Sequence, residues 1–413
     1  MNSIMRICHI TSSYPRFDQE GNARFVRAIA EAQTTLGHEV HVLAPYTPEV
    51  QAYSSPVQLH WVRYILPARL GVMGHAGALE NDKHLRGSVL WQAPLFAASL
   101  AIRMQMVVLQ KRIDLIHAHW AIPSGFMASW IARANRKPLF VSLHGSDMYL
   151  ARENALFREM AKWALQGANG ITACSQPLAE TAIGIGACAE RLHILPYGAD
   201  LMELTPEIFA NRWRIQLGLP VESCIILAVG RLVAKKGFTQ LVRAMPLVLK
   251  QVPGARLIIL GEGFERAALE HLGAELRVQD RVFLPGAVSW TLVAKYLAAA
   301  DVLVMPSVQD EKGNLDGLPN VILEAMAAGR PVIATRIAGI PLAVQDKVTG
   351  VLVDEADPEL LSAALINLLT SPAKREAMGR AARARIETEL NWIQFARRLD
   401  QIYDTDWEKR RDA

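Results

Sequence analysis

One pattern recurs along the whole chain and limits its fold more than any other feature: a short apolar run, a turn, then an amphipathic helix. In the first half the runs fall at residues 4–11, 39–44, 59–64, 115–118, 139–143, 170–173 and 192–195. Helical spacing of apolar residues fills 25–36 and 125–134 between them. The second half restarts with runs at 224–229, 257–260, 282–284, 302–305, 331–334 and 350–353, and with helical patterns at 238–251, 265–272, 292–299 and 320–328. Short apolar runs alternating with helices predict parallel strands flanked by helices. No short-period repeat or low-complexity tract interrupts the pattern.

At 413 residues the chain exceeds what one core usually holds. The reading is therefore an α/β protein of two Rossmann-like domains, each with its own parallel sheet, facing across a cleft. The junction lies in 196–220, where Pro196, Gly198, Pro206, Gly218 and Pro220 break any sustained strand pattern. This places an N-terminal domain at 1–197 and a C-terminal domain at 198–391. The last segment, 392–413, starts as an amphipathic helix beyond the second domain and can fold back on the first.

Hydrophobic residues make up 51% and charged residues 20%, which excludes a disordered chain. The net charge of +4 suits a phosphate-bearing substrate or an anionic membrane surface, and predicts no nucleic-acid partner. Cys8, Cys174, Cys188 and Cys224 lack CxxC spacing, and three sit in apolar runs that read as strands. Buried free thiols in a reducing compartment are expected. The apolar part of residues 1–14 is too short for a secretory signal, and 89–109 is interrupted by Gln92, Pro94, Arg103 and Gln105, a poor membrane span. A cytoplasmic protein follows, soluble or loosely attached to a membrane. The stretch 65–112, with Arg63 just ahead of it, holds Arg69, Lys83, Arg86, Arg103, Lys111 and Arg112 among Leu, Val, Met and Trp91. Such a face lies on an anionic bilayer as readily as it faces solvent.

Parallel sheets bind ligands beyond the carboxyl ends of their strands, so the residues after each run matter most. After 224–229 comes Gly230-Arg231-Leu232-Val233-Ala234-Lys235-Lys236-Gly237. Arg231 offers a fork for phosphate oxygens and Lys236 a point charge. After 257–260 comes the turn Gly261-Glu262-Gly263, with Glu262 placed near a nucleotide base or in solvent. After 302–305 a long loop ends in Asp316-Gly317-Leu318-Pro319-Asn320. Pro319 suits the first helical position, where a missing N–H costs nothing. The N–H groups from Gly317 onward then favour an anion such as a diphosphate. Glu324, one turn in, can hold a ribose diol, and Asp316 can meet sugar hydroxyls.

In the first half, His144-Gly145-Ser146-Asp147 follows 139–143, with Asp147 on the acceptor side, and Gly21 opens the helix after the first strand. His117 and His119 alternate on one strand, a spacing that zinc can use. Without an acidic or cysteine neighbour they read as packing or cleft-lining residues, and no metal is expected.

These motifs together resemble the retaining glycosyltransferases of family 4, which have the GT-B fold. The resemblance covers nearly the whole chain and rests on three elements in order. These are HGSD at His144, GRLVAKKG at Arg231 and Lys236, and DGLPNVILEAMAAG from Asp316 to Glu324. The family more often has Glu at both ends of the last element, so Asp316 is one methylene shorter. Its first loop often carries two glycines where this chain has only Gly21, and Asn-Gly where this chain reads Gly198-Ala199 before Asp200. The resemblance implies a nucleotide-diphosphate sugar as co-substrate, UDP-sugar favoured over GDP-sugar, and no separate cofactor. It makes His144, Arg231, Lys236, Asp316 and Glu324 the catalytic set. Gly21, Gly230, Glu262, Gly317, Leu318, Pro319 and Asn320 would line the donor. The acceptor would be a glycan or lipid-linked hydroxyl.

Two other readings stay open on the same fold: a sugar-nucleotide epimerase, and a non-catalytic sugar-nucleotide-binding protein. An NAD-dependent oxidoreductase is unlike this chain, because Thr11-Ser12-Ser13-Tyr14-Pro15 replaces the glycine-rich turn after the first strand.

Overall fold

The structure, a computed structural model, describes residues 4–75, 79–80, 84–85, 87–201, 210–311 and 313–411. The chain divides into two compact units: Met1–Leu195 with Trp392–Ala413, and Pro196–Asn391. The break falls slightly ahead of the expected junction. Leu195 makes the last backbone bond to the first sheet, at Ala173, whereas Ala199 already donates to Leu390 of the second unit. Pro206, Lys83 and Arg86, used in the sequence argument, lie outside the described residues.

The first unit is built on strands β1 (Arg6–Ile10), β2 (Glu39–Pro45), β3 (Gln58–Val62), β6 (Leu115–His119), β7 (Leu139–Leu143), β8 (Gly170–Ala173) and β9 (Leu192–Ile194). Between β3 and β6 lies a separate two-stranded pair, β4 (Leu79–Glu80) and β5 (His84–Leu85). The main sheet has the order β3-β2-β1-β6-β7-β8-β9 and every pairing is parallel. β6 and β7 are buried at every position, and apart from His117, His119 and Ser142 they carry only apolar residues. Helices α1 (Arg24–Thr35), α2 (Val89–Gln110), α3 (Phe126–Ala134), α4 (Ser146–Glu153), α5 (Ala155–Gly167) and α6 (Gln176–Ile185) make the crossovers.

The second unit holds β10 (Ile225–Val229), β11 (Arg256–Leu260), β12 (Val282–Gly286), β13 (Val302–Met305), β14 (Val332–Thr335) and β15 (Gly350–Val353). Its helices are α7 (Ala210–Gln216), α8 (Phe238–Gln251), α9 (Arg266–Glu275), α10 (Trp290–Ala299), α11 (Asn320–Ala327), α12 (Ile340–Ala343), α13 (Pro358–Leu369) and α14 (Pro372–Thr388). The sheet order is β12-β11-β10-β13-β14-β15, again all parallel. Phe238, Leu241, Val242, Met245 and Val248 form the buried stripe of α8, packed with Ile226, Leu257 and Ile259 of the strands. Their three- and four-residue spacing is what makes this segment helical in context.

Each sheet runs outward from its first strand in both directions. The order reverses between β1 and β6 in one unit and between β10 and β13 in the other. At such a switch point two successive loops diverge and leave a crevice at the carboxyl ends of the strands.

The last helix, α15 (Trp392–Arg411), belongs to the first unit. Its buried residues Phe395, Ala396, Leu399 and Tyr403 recur at helical spacing. Asp400 and His38 pair at 3.1 Å, both almost fully buried. Helix α2 buries Phe96, Leu100, Met104 and Val108, and exposes Trp91, Leu95, Ile102, Met106 and Leu109. By length and composition alone its Trp91–Gln110 part is apolar enough to cross a membrane, a test that the core helix of a soluble protein also passes. All four cysteines are free, but only Cys8 lies within a strand, and Cys188 and Cys224 are partly exposed rather than buried.

Leu399 is 1% exposed on α15, so Leu399→Ala removes a packed side chain from the first unit. The expected cost is about 2–5 kcal/mol in urea unfolding. A loss below about 1 kcal/mol would contradict the docking of α15.

Candidate active site

In the second unit the loops after β10 and β13 run side by side at the switch point. Contact between them needs a glycine: Gly237 has φ 66°, and a Cβ there would lie 1.8 Å from the Pro306 carbonyl oxygen. Val308 N–H donates to the Lys235 carbonyl at 3.0 Å, which stitches the loops together. The Lys236 stem passes over Gly230, where a Cβ would lie 3.1 Å from Lys236 Cε. Lys236 Nζ then donates to Asp316 Oδ2.

Arg231, Lys235 and Lys236 all act on the Asp316 carboxylate. Burial pushes that carboxyl up, yet the three cations bring it below its ordinary range. The same crowding shows on Lys235, whose ammonium is lowered by burial and by Lys236 and Arg231, against Asp316 and Asp310. Cations are thus held close together, partly balanced by carboxylates, in a site that favours an added anion. The sequence reading gave roles to Arg231 and Lys236 alone; the neighbours of Lys235 in space, not its position in the motif, give it weight.

Leu318 and Pro319 are buried directly after this pair, and Gly317 accepts from Gly339 N–H at 2.7 Å. Pro319 is the cap of α11 rather than its first helical residue. Its ψ is 117°, extended, while its carbonyl accepts from Ile322 at 3.0 Å. Asn320 opens the helix, and its buried Oδ1 has no hydrogen-bond partner among the described residues. One turn on, half-buried Glu324 accepts from Trp290 Nε1 at 3.3 Å. Trp290, the first residue of α10, was not foreseen from sequence. Glu262 is exposed in the turn after β11 and pairs with Arg266 at 3.0 Å on the next helix.

In the first unit one face of the sheet carries a polar layer. His9 sits on β1, His117 and His119 on β6, Ser142 on β7 and Thr172 on β8, all buried. His119 Nδ1 meets Nε2 of His144, just past β7, at 3.0 Å. His119 Nε2 meets His9 Nδ1 at 2.9 Å, and His9 Nε2 meets Gln33 Oε1 at 2.6 Å. His117 lies between Tyr403 Oη at 2.6 Å and Ser142 Oγ at 2.8 Å. Ligand nitrogens of His9, His117 and His119 fall within 4.8 Å of one another, close enough for a metal ion. Each ring nitrogen of the three already has a hydrogen-bond partner, so the cluster is a connected polar network.

Asp147 is 2% exposed in the first turn of α4, and its Oδ2 accepts from Ala121 N–H at 2.6 Å. Burial pushes its carboxyl up to about 6, against the N–H groups of Ala121 and of its own turn. It ties α4 to the loop after β6 instead of standing open toward an acceptor. Gly21 is exposed and precedes α1 by three residues; the cap is Ala23, with φ 54°. Gly21 is therefore not the residue that opens the helix.

Burial lowers His9 to about 4 and His144 to about 3, and holds His117 and His119 well below the ordinary range. The unfolded chain binds these protons from about pH 6.5 downward, whereas the folded one refuses them. Stability therefore falls as pH drops from 6.5 toward 4, by up to about 1.4 kcal/mol per pH unit per group. Asp147 acts oppositely, gaining stability as pH falls through 6, but it is one group against four. Urea unfolding should show at least about 2 kcal/mol less stability at pH 5 than at pH 7. A flat profile would contradict the neutral network.

The comparisons with known proteins fit this geometry. The family model for group 1 glycosyl transferases matches residues 209–385, and that for glycosyltransferase family 4 matches 20–203. A GDP-mannose-dependent monoacylated alpha-(1-6)-phosphatidylinositol monomannoside mannosyltransferase of Corynebacterium glutamicum is 32% identical over 77% of this chain and 82% of its own length. A putative teichuronic acid biosynthesis glycosyltransferase of Bacillus subtilis is 29% identical over 81% of this chain and 82% of its own. The fold matches a sucrose-phosphate synthase of Thermosynechococcus elongatus with a TM-score of 0.76 and 24% identity, covering 98% of this chain and 100% of that one. Motif, fold and relatives agree, and the chain belongs to the group 1 glycosyl transferases of family 4, with the GT-B fold.

Proposed function

We propose that this glycosyltransferase moves a hexose, with retention of configuration, from a nucleotide-diphosphate sugar to a hydroxyl of a lipid-linked or glycan acceptor. The observation that carries the reading is the cation cluster Arg231, Lys235 and Lys236 beside Asp316, directly ahead of α11. The diphosphate sits on Arg231 and Lys236 and on the N–H groups at the start of α11. Glu324, held by Trp290, takes the ribose hydroxyls. Asp316 turns from Lys236 to the sugar as the diphosphate takes over its cation.

The bond from the sugar's anomeric carbon to the diphosphate oxygen breaks as the acceptor oxygen attacks from the same face. The acceptor's proton passes to the leaving diphosphate, whose charge the cations balance without a required divalent ion. His144 and the first unit serve the acceptor side. The sequence favoured a UDP-sugar; GDP-mannose-dependent relatives favour GDP-mannose as the donor to test first.

A lipid-linked acceptor agrees with α2. Trp91, Leu95, Ile102, Met106 and Leu109 make one exposed apolar stripe, flanked by exposed Arg103, Lys111 and Arg112. Such a face suits the headgroup region of an anionic bilayer, with the enzyme peripheral at the inner face of the membrane.

Two outcomes follow. Lys236→Ala should reduce turnover at least about 100-fold with the melting temperature nearly unchanged, and Glu324→Ala should weaken nucleotide binding about tenfold or more. Wild-type activity in both would refute the site; hexose isomerisation without an acceptor would favour the epimerase. Ile102→Glu should abolish cosedimentation with phosphatidylglycerol vesicles while leaving transfer to a soluble acceptor intact. Equal cosedimentation of variant and wild type would remove the membrane face.

A further inference from the structure

We propose that the second unit carries a further binding site, at the amino ends of β13 and β14, that takes the phosphate group of a small sugar phosphate. Arg231, Lys236 and Asp316 follow the carboxyl ends of β10 and β13, at the other end of the same sheet. The two sites are therefore separate, and the second does not depend on the reading of the first.

A cavity of about 480 Å³ opens there. It is bounded by Asp301 ahead of β13, by the turn Gly329-Arg330-Pro331 between α11 and β14, and by residues of α14. Its volume falls in the range of about 300–1,000 Å³ usual for small-ligand sites. Backbone contacts fix its walls. Gly379 of α14 packs so closely on the turn that a Cβ there would lie 2.1 Å from the Gly329 carbonyl oxygen. Arg383 Nη1 donates to the Ala327 carbonyl at the end of α11. Arg375 Nη1 donates to the Leu368 and Leu369 carbonyls at the end of α13, at 2.9 and 2.7 Å.

Around Asp301 the cations outnumber the carboxylate. Asp301 pairs with Arg214 at 2.7 Å and with Arg375 at 3.5 Å, and it accepts from Ile225 N–H at 2.7 Å. Arg330 is the third guanidinium that acts on it. The Arg330 Nε is buried without a hydrogen-bond partner among the described residues, and Asp301 acts on the group as a charge rather than as an acceptor. Burial lowers this guanidinium, Asp301 opposes the shift and Arg214 adds to it. A buried cation without a bonded partner is costly, and three guanidinium groups around one carboxylate leave two positive charges unbalanced. A phosphate monoester carries about two negative charges at neutral pH, and its oxygens match the guanidinium fork. A carboxylate would bring only one charge.

The rest of the lining differs. On α14, Glu376 pairs with exposed Arg380 at 3.4 Å and Glu387 pairs with Arg383 at 2.6 Å. Each carboxylate keeps further accepting capacity. Such groups repel a second phosphate but accept from hydroxyls. No large aliphatic or aromatic side chain lines the cavity among the described residues, which suits neither a lipid tail nor a base. The arrangement fits a ligand with one dianionic end and a polyhydroxylated body, the phosphate on Arg330 and Arg375 and the sugar hydroxyls on Glu376 and Glu387.

The test is calorimetric titration of the full-length protein with glucose 6-phosphate, inorganic phosphate and glucose. Glucose 6-phosphate should bind at least about tenfold more tightly than either of the others. Arg330→Met should weaken that binding at least about tenfold, while the melting temperature without ligand holds or rises, because an unpartnered buried cation is gone. A melting temperature lowered by more than about 5 °C with affinity unchanged would make Arg330 a structural residue and overturn the proposal. Arg380→Glu changes an exposed side chain, so the chain stays folded, and it should weaken binding about threefold or more. Lys236→Ala should leave the affinity as in wild type; loss of binding there would put the ligand at the carboxyl ends of the strands and overturn the proposal. Phosphatidic acid vesicles carry the same phosphate monoester on a lipid and should not displace glucose 6-phosphate; displacement would assign the cavity to a membrane instead. Inorganic phosphate bound as tightly as glucose 6-phosphate would mark an adventitious anion site only, and binding unaltered in both arginine variants would refute the site.

Discussion

The contact between Lys236 and Asp316 is the interaction on which the second unit's chemistry depends. It joins residues from loops after β10 and β13, far apart in the chain, and it forms because the sheet changes direction between those strands. Gly237 lets the loops touch; any side chain there would strike the Pro306 carbonyl. Concentrating Arg231, Lys235 and Lys236 beside few carboxylates is costly for a folded protein unless an anion completes the balance. The site therefore looks built around a ligand that brings negative charge, and the start of α11 supplies N–H groups in the same place.

The first unit solves the opposite electrostatic problem. It keeps His9, His117 and His119 neutral and dry across the face of β1 and β6, each satisfied by a neighbour. Two partners come from outside the sheet: Gln33 on α1 and Tyr403 on α15. The C-terminal helix is thus more than a packing element, because its Tyr403 hydroxyl closes one branch of the network. A single fold theme serves a charged crevice in one unit and a neutral hydrogen-bonded layer in the other.

Most of the architecture is legible in the sequence because parallel strands are buried on both faces. The runs at 139–143, 170–173, 302–305 and 350–353 coincide with β7, β8, β13 and β15. Site residues that follow directly from a strand end, His144, Arg231 and Lys236, were readable for the same reason. Residues that reach the sites from another element were not. Trp290, Gln33 and Tyr403 carry no local signal, since each matters only through a partner at least 24 residues away. Gly21 shows the converse: a suggestive turn in sequence, but a helix that starts at Arg24 behind its cap Ala23. Cys224 misled because apolar neighbours in sequence do not guarantee burial at the end of a strand, and Cys188 lies in the connection between α6 and β9.

The central claim is that binding energy comes from phosphate charge meeting the Arg231–Lys236 cluster. Calorimetric titration of a matched nucleoside, its monophosphate and its diphosphate measures this directly. The account predicts a steep rise in affinity with each phosphate, most of it at the second, and a slope that shrinks with added salt. Equal affinities for the monophosphate and the diphosphate would contradict it.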